Sequence, residues 1–410
     1  MLKVMAVGLL SSEILQNWGK MAEFEPRLAF EHLDKLAYEI GPRLAGTNGE
    51  QKAAEYIRKQ LEGYRYDVKV QEFKFVPRAS RTRVDAGLLL AAFIASLFLP
   101  AQYSIIAFIV ALSLIYVLPR AMPKSKSQNI VATLGAKNPN INVVIGAHYD
   151  SARCTVSPKL NFFVRMAFFP TIIALTICLF ARLLGVFSTI WPIVWGLFAL
   201  IFFPVSLGMF LSTSGRHVSP GANDNASGVA VMLEAARVAA ESPPEVDLTF
   251  VAFGAEEQGL EGSRAFVKAM KTLDEKIVVL NLDMLGAGKQ QFIVEGNGLL
   301  KRTRTTPQLN DLLMKCCKSV GSKPRLWWAT LAGHDHIPFL RANLPATTFT
   351  TDVLVKDRIG NFLGKLLRLP NSRIRGYRYI HTADDIPDRI SLESIEHTGR
   401  VVLEFIKTVK

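Results

Sequence analysis

The chain has 410 residues, enough for one large catalytic domain plus additional segments. Apolar residues make up 50% and charged residues 20%, with a formal net charge of +13 and a mean hydropathy of +0.22. No nucleic-acid motif accompanies the positive charge, and Cys154, Cys178, Cys316 and Cys317 form no CxxC pair. A nucleic-acid-binding protein and a disulfide scaffold are therefore excluded.

The average hides two populations, ordinary charged sequence and long blocks nearly free of charge. The N-terminal MLKVMAVGLLSSEILQ is a poor signal peptide, with a weak apolar region and no small-residue cleavage site. From Glu25 to Phe75 the pattern reads helix, helix, strand, with a break at GTNG. The first apolar block runs from Gly87 to Leu118, interrupted near Pro100. It is long for one ~20-residue span, so a tight transmembrane hairpin is expected. The second, Phe162 to Leu211, has room for two spans with a break near Arg182 and Gly185.

Two hairpins return the chain to its starting side. Arg78, Arg81, Arg83, Arg120, Lys124, Lys126, Arg153, Lys159, Arg165 and Arg216 flank the blocks, while the tips carry chiefly Arg182. The positive-inside rule then predicts a multi-pass membrane protein of four spans with a cytoplasmic catalytic domain. The expected organisation is catalytic segments 22–84, 120–160 and 214–410, interrupted by hairpins 85–119 and 161–213. The globular sequence alternates strand and helix: NVVIGAHYD, NASGVAVMLEAARVAA, DLTFVAFGAEE, SRAFVKAMK, KIVVLNLDM and PATTFTT. This predicts an α/β sheet covered by helices.

Three predicted strands end in groups able to bind a metal: His148 and Asp150, Glu256 and Glu257, and Asp283. Sites in such sheets form outside the carboxyl ends of strands. Asp224 lies in PGANDNASG before a helix, where it is either an N-cap or a ligand. In HYD, Asp150 can hold the His148 imidazole from behind. Adjacent Glu256 and Glu257 can divide metal binding from proton transfer. His381, in YIHTADD, is a second candidate histidine. Nitrogen and oxygen ligands without Cys suit catalytic zinc, here two ions per chain.

GAHYDS, PGANDNASG, FGAEEQGLEGS, NLDM and YIHTADD resemble, in order, the motifs of the M28 family of zinc metallopeptidases. The resemblance runs from about Phe30 to the C-terminus, apart from the apolar blocks. It implies an α/β/α zinc-exopeptidase sandwich around a mixed sheet and a peptide substrate. It also implies that His148 and Glu257 hold one zinc, Asp283 and His381 the other, and Asp224 bridges them. Glu256 resembles the family's general base and Asp150 the residue that orients His148. The family often has Ser-Asp-His where this chain has His334-Asp335-His336. His334 and His336 either line the pocket or serve capping and packing. Trp327 and Trp328 shape a side-chain pocket or are core.

The segment 358–369 places Ile359, Phe362, Leu363, Leu366 and Leu367 on one helical face amid basic residues. It is either an ordinary packed helix or one lying on anionic lipid. The main expectation is a membrane-anchored aminopeptidase. The alternatives are a single-zinc enzyme like the family's glutaminyl cyclases, or a receptor or transporter module that keeps the fold without catalysis.

Overall fold

The runs Val143–Ala147, Leu248–Phe253 and Ile277–Leu282 are apolar on both faces, as strands covered on both sides must be. In the computed structural model they are the centre of a nine-stranded mixed sheet. The structure describes residues 22–135, 141–154, 158–186, 190–212, 217–270, 276–298, 302–329, 332–352 and 379–409. The amphipathic segment 358–369 lies outside them, as do the side chains of Lys159, Arg165 and Arg216.

The strands are β1 (Asp67–Phe75), β2 (Ser125–Leu134), β3 (Asn142–His148), β4 (Asp247–Phe253), β5 (Ile277–Leu282), β6 (Gln290–Asn297), β7 (Thr303–Arg304), β8 (Arg325–Ala329) and β9 (Ala346–Asp352). Their order is β1-β2-β4-β3-β5-β9-β6-β7, with β8 also paired to β6. The middle four, β4-β3-β5-β9, are mutually parallel. Antiparallel β2 and β6 extend the sheet on either side.

The alternation of side chains divides the core into two layers. Val143, Ile145, Leu248, Phe250 and Leu280 join one cluster. It is covered by α1 (Pro26–Asp34), α2 (Asn48–Gly63), α7 (Ser227–Glu241), α9 (Pro307–Ser319) and α11 (Leu392–Thr408). Val144, Val251 and Val279 face the other way. There they meet Phe266 of α8 (Glu261–Ala269) and Phe339 of α10 (His336–Arg341). This is the expected α/β/α sandwich.

The apolar blocks form four further helices outside the sandwich. α3 (Arg78–Phe98) and α4 (Ala101–Val117) meet at Leu99 and Pro100, where proline ends one helix and opens the next. α5 (Pro158–Leu183) and α6 (Trp191–Ser212) are joined through Gly185, at φ +75°. The two pairs pack on each other through Leu89, Phe93, Phe108, Leu179, Trp195 and Phe202. Some polar groups inside the bundle are matched, although the buried Ser206 Oγ is not. Trp195 Nε1 donates to Ser96 Oγ at 2.9 Å, and Arg182 donates to the Ser96 carbonyl at 2.8 Å. The outer face remains apolar, with Ile177 63% and Leu200 72% exposed.

Candidate metal centre

β3, β4 and β5 run parallel, so their carboxyl ends open on one edge of the sheet. Gly146 pairs with Asn281, and continuing that register by two residues sets His148 beside Asp283. Glu256 and Glu257 lie in the turn after β4. Asp224 arrives on the loop that leads into α7, and His381 from the turn before α11.

The Asp224 loop is tied to the Asp283 loop by its own polar side chains. Asn225 Nδ2 donates to the Leu282 carbonyl at 2.8 Å, and its Oδ1 accepts from the Met284 N–H at 3.0 Å. Asn223 Oδ1 accepts from the Gly286 N–H at 2.9 Å, and Ser227 Oγ from the Leu285 N–H at 2.9 Å. Gly228 makes this closeness possible. A Cβ there would stand 2.4 Å from Asn225 Oδ1 and 2.8 Å from the Leu282 carbonyl oxygen.

Two groups of potential ligands result. In the first, His148 Nε2 is 3.1 Å from Asp224 Oδ1 and 3.9 Å from Asp283 Oδ1. In the second, His381 Nε2 is 3.2 Å from Asp224 Oδ2 and 2.8 Å from Glu257 Oε1. Within each group the ligand atoms lie within 4.8 Å of one another. Tetrahedral zinc with bonds of about 2.1 Å spreads its ligands roughly 3.4 Å apart, so both groups fit such an ion. The oxygen-nitrogen donor set suits it equally well.

The expected division of ligands is corrected here. His148 stands with Asp283 rather than Glu257, and His381 with Glu257 rather than Asp283. Strand register is the reason: β3 and β5 are neighbours, whereas Glu257 lies four residues beyond the end of β4. The N-cap alternative for Asp224 fails, because its side chain caps no helix and its two oxygens face the two histidines.

Asp150 does more than stand behind His148. His148 Nδ1 is 3.2 Å from the Asp150 carbonyl and 3.5 Å from its carboxylate. The same carboxylate accepts from the backbone N–H of Glu256 at 2.9 Å and of Glu257 at 3.1 Å, fixing that turn. Asp385 repeats the device on the other loop, accepting from the N–H of Asn223 at 2.8 Å and of Asp224 at 3.1 Å.

Charge is concentrated and dry. Burial opposes charge on Asp224, but hydrogen bonds from His148 and His381 hold its carboxyl far below the usual range. Burial also opposes a proton on His148, yet Glu256, Asp150 and Asp224 raise it well above an ordinary imidazole. Half-buried Glu256 is also shifted upward. Burial lifts its carboxyl well above the ordinary range against the pull of His148, with Glu257, Asp335 and Asp283 adding to the lift.

Four further residues hold the site, and none of them received a role of its own from the sequence. Arg43 is fully buried beneath two of the site loops. Its guanidinium donates to the carbonyls of Tyr149 at 2.8 Å, Pro220 at 2.7 Å and Gly221 at 2.8 Å, and also to those of Leu36 and Gly41. Glu50 accepts from Ser127 Oγ and from the backbone N–H groups of Gly46 and Ala255, under the Glu256 turn. Asp335 is buried, with one oxygen accepting from Ser263 Oγ and its carboxyl pushed up by burial to about 7. Asp385 is the fourth. The only local signals were an arginine between two turn residues in GPRLAG and a doubled aspartate after His381.

His334 and His336 part company. His334 Nδ1 lies 2.7 Å from Asp283 Oδ2, so it holds the oxygen that does not face His148. His336 is locked between Thr348 Oγ1 and Asn297 Oδ1 as a packing residue. Trp327 meets His334 edge-on at 6.0 Å, whereas Trp328 is core and donates to the Gly298 carbonyl.

Comparison with known proteins agrees with this fold. The model of Peptidase family M28 matches residues 206–406. An aminopeptidase of Bacillus subtilis (strain 168), YwaD, is 26% identical over 432 residues, spanning 95% of this chain and 86% of that protein. The endoplasmic reticulum metallopeptidase 1 of Rattus norvegicus is 30% identical over 191 residues, 46% of this chain but only 19% of its own length. Among solved structures, a zinc aminopeptidase from Bacillus subtilis superposes with a TM-score of 0.56 at 19% identity, covering 95% of this chain and 98% of that one. A glutaminyl cyclase from Bacteroides thetaiotaomicron superposes with a TM-score of 0.58 at 15% identity, covering 95% and 100%. The fold is that of the zinc exopeptidases.

Proposed function

We propose that this M28-like zinc metallopeptidase is a membrane-anchored aminopeptidase that uses two zinc ions. The observation that carries the reading is the pair of ligand groups sharing Asp224, with Glu256 beside them. His148, Asp224 and Asp283 would hold one ion, and Asp224, Glu257 and His381 the other. Bound there, zinc would polarise the scissile carbonyl and acidify water.

The chain's own residues carry the remaining work. Glu256 takes a proton from the attacking water and returns it to the leaving amine; water's oxygen joins the carbonyl carbon as the C–N bond breaks. Asp150 fixes the backbone from which Glu256 projects. The aminopeptidase assignment is supported by the relative that spans 95% of this chain. Because glutaminyl cyclases share the fold, the fold does not separate the two activities; the second ligand group favours two metals and hydrolysis. The intact ligands and base likewise argue against a receptor or transporter module.

Anchoring is supported by two helices long and apolar enough to cross a membrane, Ala101–Arg120 and Trp191–Gly208, with mean hydropathies of 2.1 and 1.8. Only 17% and 22% of these windows is buried, unlike the core helix of a soluble protein. We read the four helices as two hairpins, with the basic flanks and the catalytic domain on the cytoplasmic side.

The test is to profile zinc-loaded protein against peptides with free and blocked N-termini, alongside Glu256→Gln. Free N-termini alone should be cleaved. The variant should keep its zinc and lose on the order of 10²–10⁴-fold in kcat. Unchanged turnover in the variant, or equal cleavage of blocked peptides, would overturn the reading.

A further inference from the structure

Both insertions leave the sandwich at its catalytic edge. The first helix residue of α3, Arg78, donates its N–H to Gln258 Oε1 at 2.9 Å and its guanidinium to the Glu257 carbonyl at 3.4 Å. The root of the first hairpin is therefore bonded to the turn that carries a candidate ligand. The second hairpin leaves through a short stem between the His148 and Asp224 loops. Arg153 bridges Val218, the Cys154 N–H donates to the His217 carbonyl at 2.9 Å, and the Ser219 N–H to the Ala152 carbonyl at 2.9 Å. Access to the centre lies on the same side. The His381 side chain is 31% exposed against 2% for His148, and His381 bonds the Glu257 carboxylate whose carbonyl Arg78 takes.

The roots also carry a headgroup-facing charge. Arg78, Arg81, Lys124 and Lys126 are exposed around the points where the first hairpin leaves and returns. Such cations favour binding to an anionic surface. From Arg78 to the start of the apolar block at Gly87, α3 rises about 13 Å at ~1.5 Å per residue. An extended peptide covers that span with about four residues at ~3.3 Å each.

Resting on the aminopeptidase reading above, we propose that the substrate is the free N-terminus of a polypeptide anchored in the same membrane leaflet. The hairpin roots then act as a ruler. The enzyme removes N-terminal residues by the same hydrolysis and stops when about four residues stand clear of the hydrocarbon. Anchoring enzyme and substrate in one bilayer raises their effective concentration, which a free peptide lacks.

The full chain, zinc-loaded, is reconstituted into phosphatidylcholine vesicles containing phosphatidylglycerol. It is offered one N-terminal sequence joined to a transmembrane helix through spacers shorter and longer than about four residues, and the same peptide unanchored. Released amino acid and the mass of the remaining peptide are measured. Long-spacer peptides should be trimmed at least tenfold faster than the free peptide and leave a remnant of about four residues, as the ruler requires, while short-spacer peptides persist. Equal rates for free and anchored peptides, or a remnant whose length changes with the spacer, would overturn the ruler and leave the aminopeptidase reading standing. Failure to cleave even the free peptide would bring down both.

Discussion

His148 and His381 take opposite oxygens of one carboxylate, yet their surroundings differ. The His148 group is closed: its three side chains are at most 7% exposed, and His334 holds the outer oxygen of Asp283 from behind. The His381 group is open: His381 comes from a turn, with a positive φ of 55° and a side chain 31% exposed. The closed half is built where two neighbouring parallel strands end, so backbone register places its ligands. The open half depends on loops, which need buried supports such as Asp150 and Asp385. On the proposed two-zinc reading, the closed half would hold its metal tightly and the open half would admit water and substrate.

The largest disturbance to this pairing is Asp224→Asn, because Asp224 is the one member both halves share. Zinc content should fall in both positions. Activity should drop by more than the roughly 10–100-fold expected when only a group behind a ligand is lost. Full zinc occupancy by elemental analysis would contradict the shared role.

A sharper test removes one histidine at a time. In zinc-free protein, His148→Ala takes one buried partner from Asp224 and Asp283, which keep His381 and His334, and should cost about 1–3 kcal/mol of stability. His381→Ala, at a partly exposed turn, should cost about 1 kcal/mol or less. Each variant should bind one zinc fewer. Equal losses in denaturant unfolding would erase the distinction between closed and open halves.

What the sequence disclosed follows the same division. Apolar strands ending in His148, the Glu256–Glu257 pair and Asp283 were readable because strand ends announce themselves by composition. Strands β2, β6 and β8 were not: SKSQNIVATL and QQFIVEGN mix polar with apolar residues, and their pairing is decided by distant neighbours. The five-motif resemblance named every candidate ligand but assigned them to the wrong partners, because the pairing depends on strand order. Arg43 was invisible for a related reason. Its carbonyl acceptors in the site loops lie more than 100 residues along the chain, and only folding brings Tyr149, Pro220 and Gly221 to one guanidinium.

A further effect concerns Glu50, which supports the open half from beneath. Burial first, and then the charge of Asp150, raise its carboxyl from 4.5 to about 8. The folded chain therefore keeps a proton on Glu50 that the unfolded chain releases above 4.5. Its contribution to stability is fully present below that value and is lost as pH rises through about 8. At ~1.36 kcal/mol per pKa unit the loss across this window is at most on the order of 5 kcal/mol. Glu50→Gln imitates the protonated form and should flatten this part of the pH dependence. Thermal unfolding of wild type and variant, followed across the window, measures it. The two Tm curves should diverge as pH rises, with wild type losing more. Parallel curves would mean that Glu50 carries charge in the folded state, and that the Ala255 turn is held by an ionised carboxylate instead.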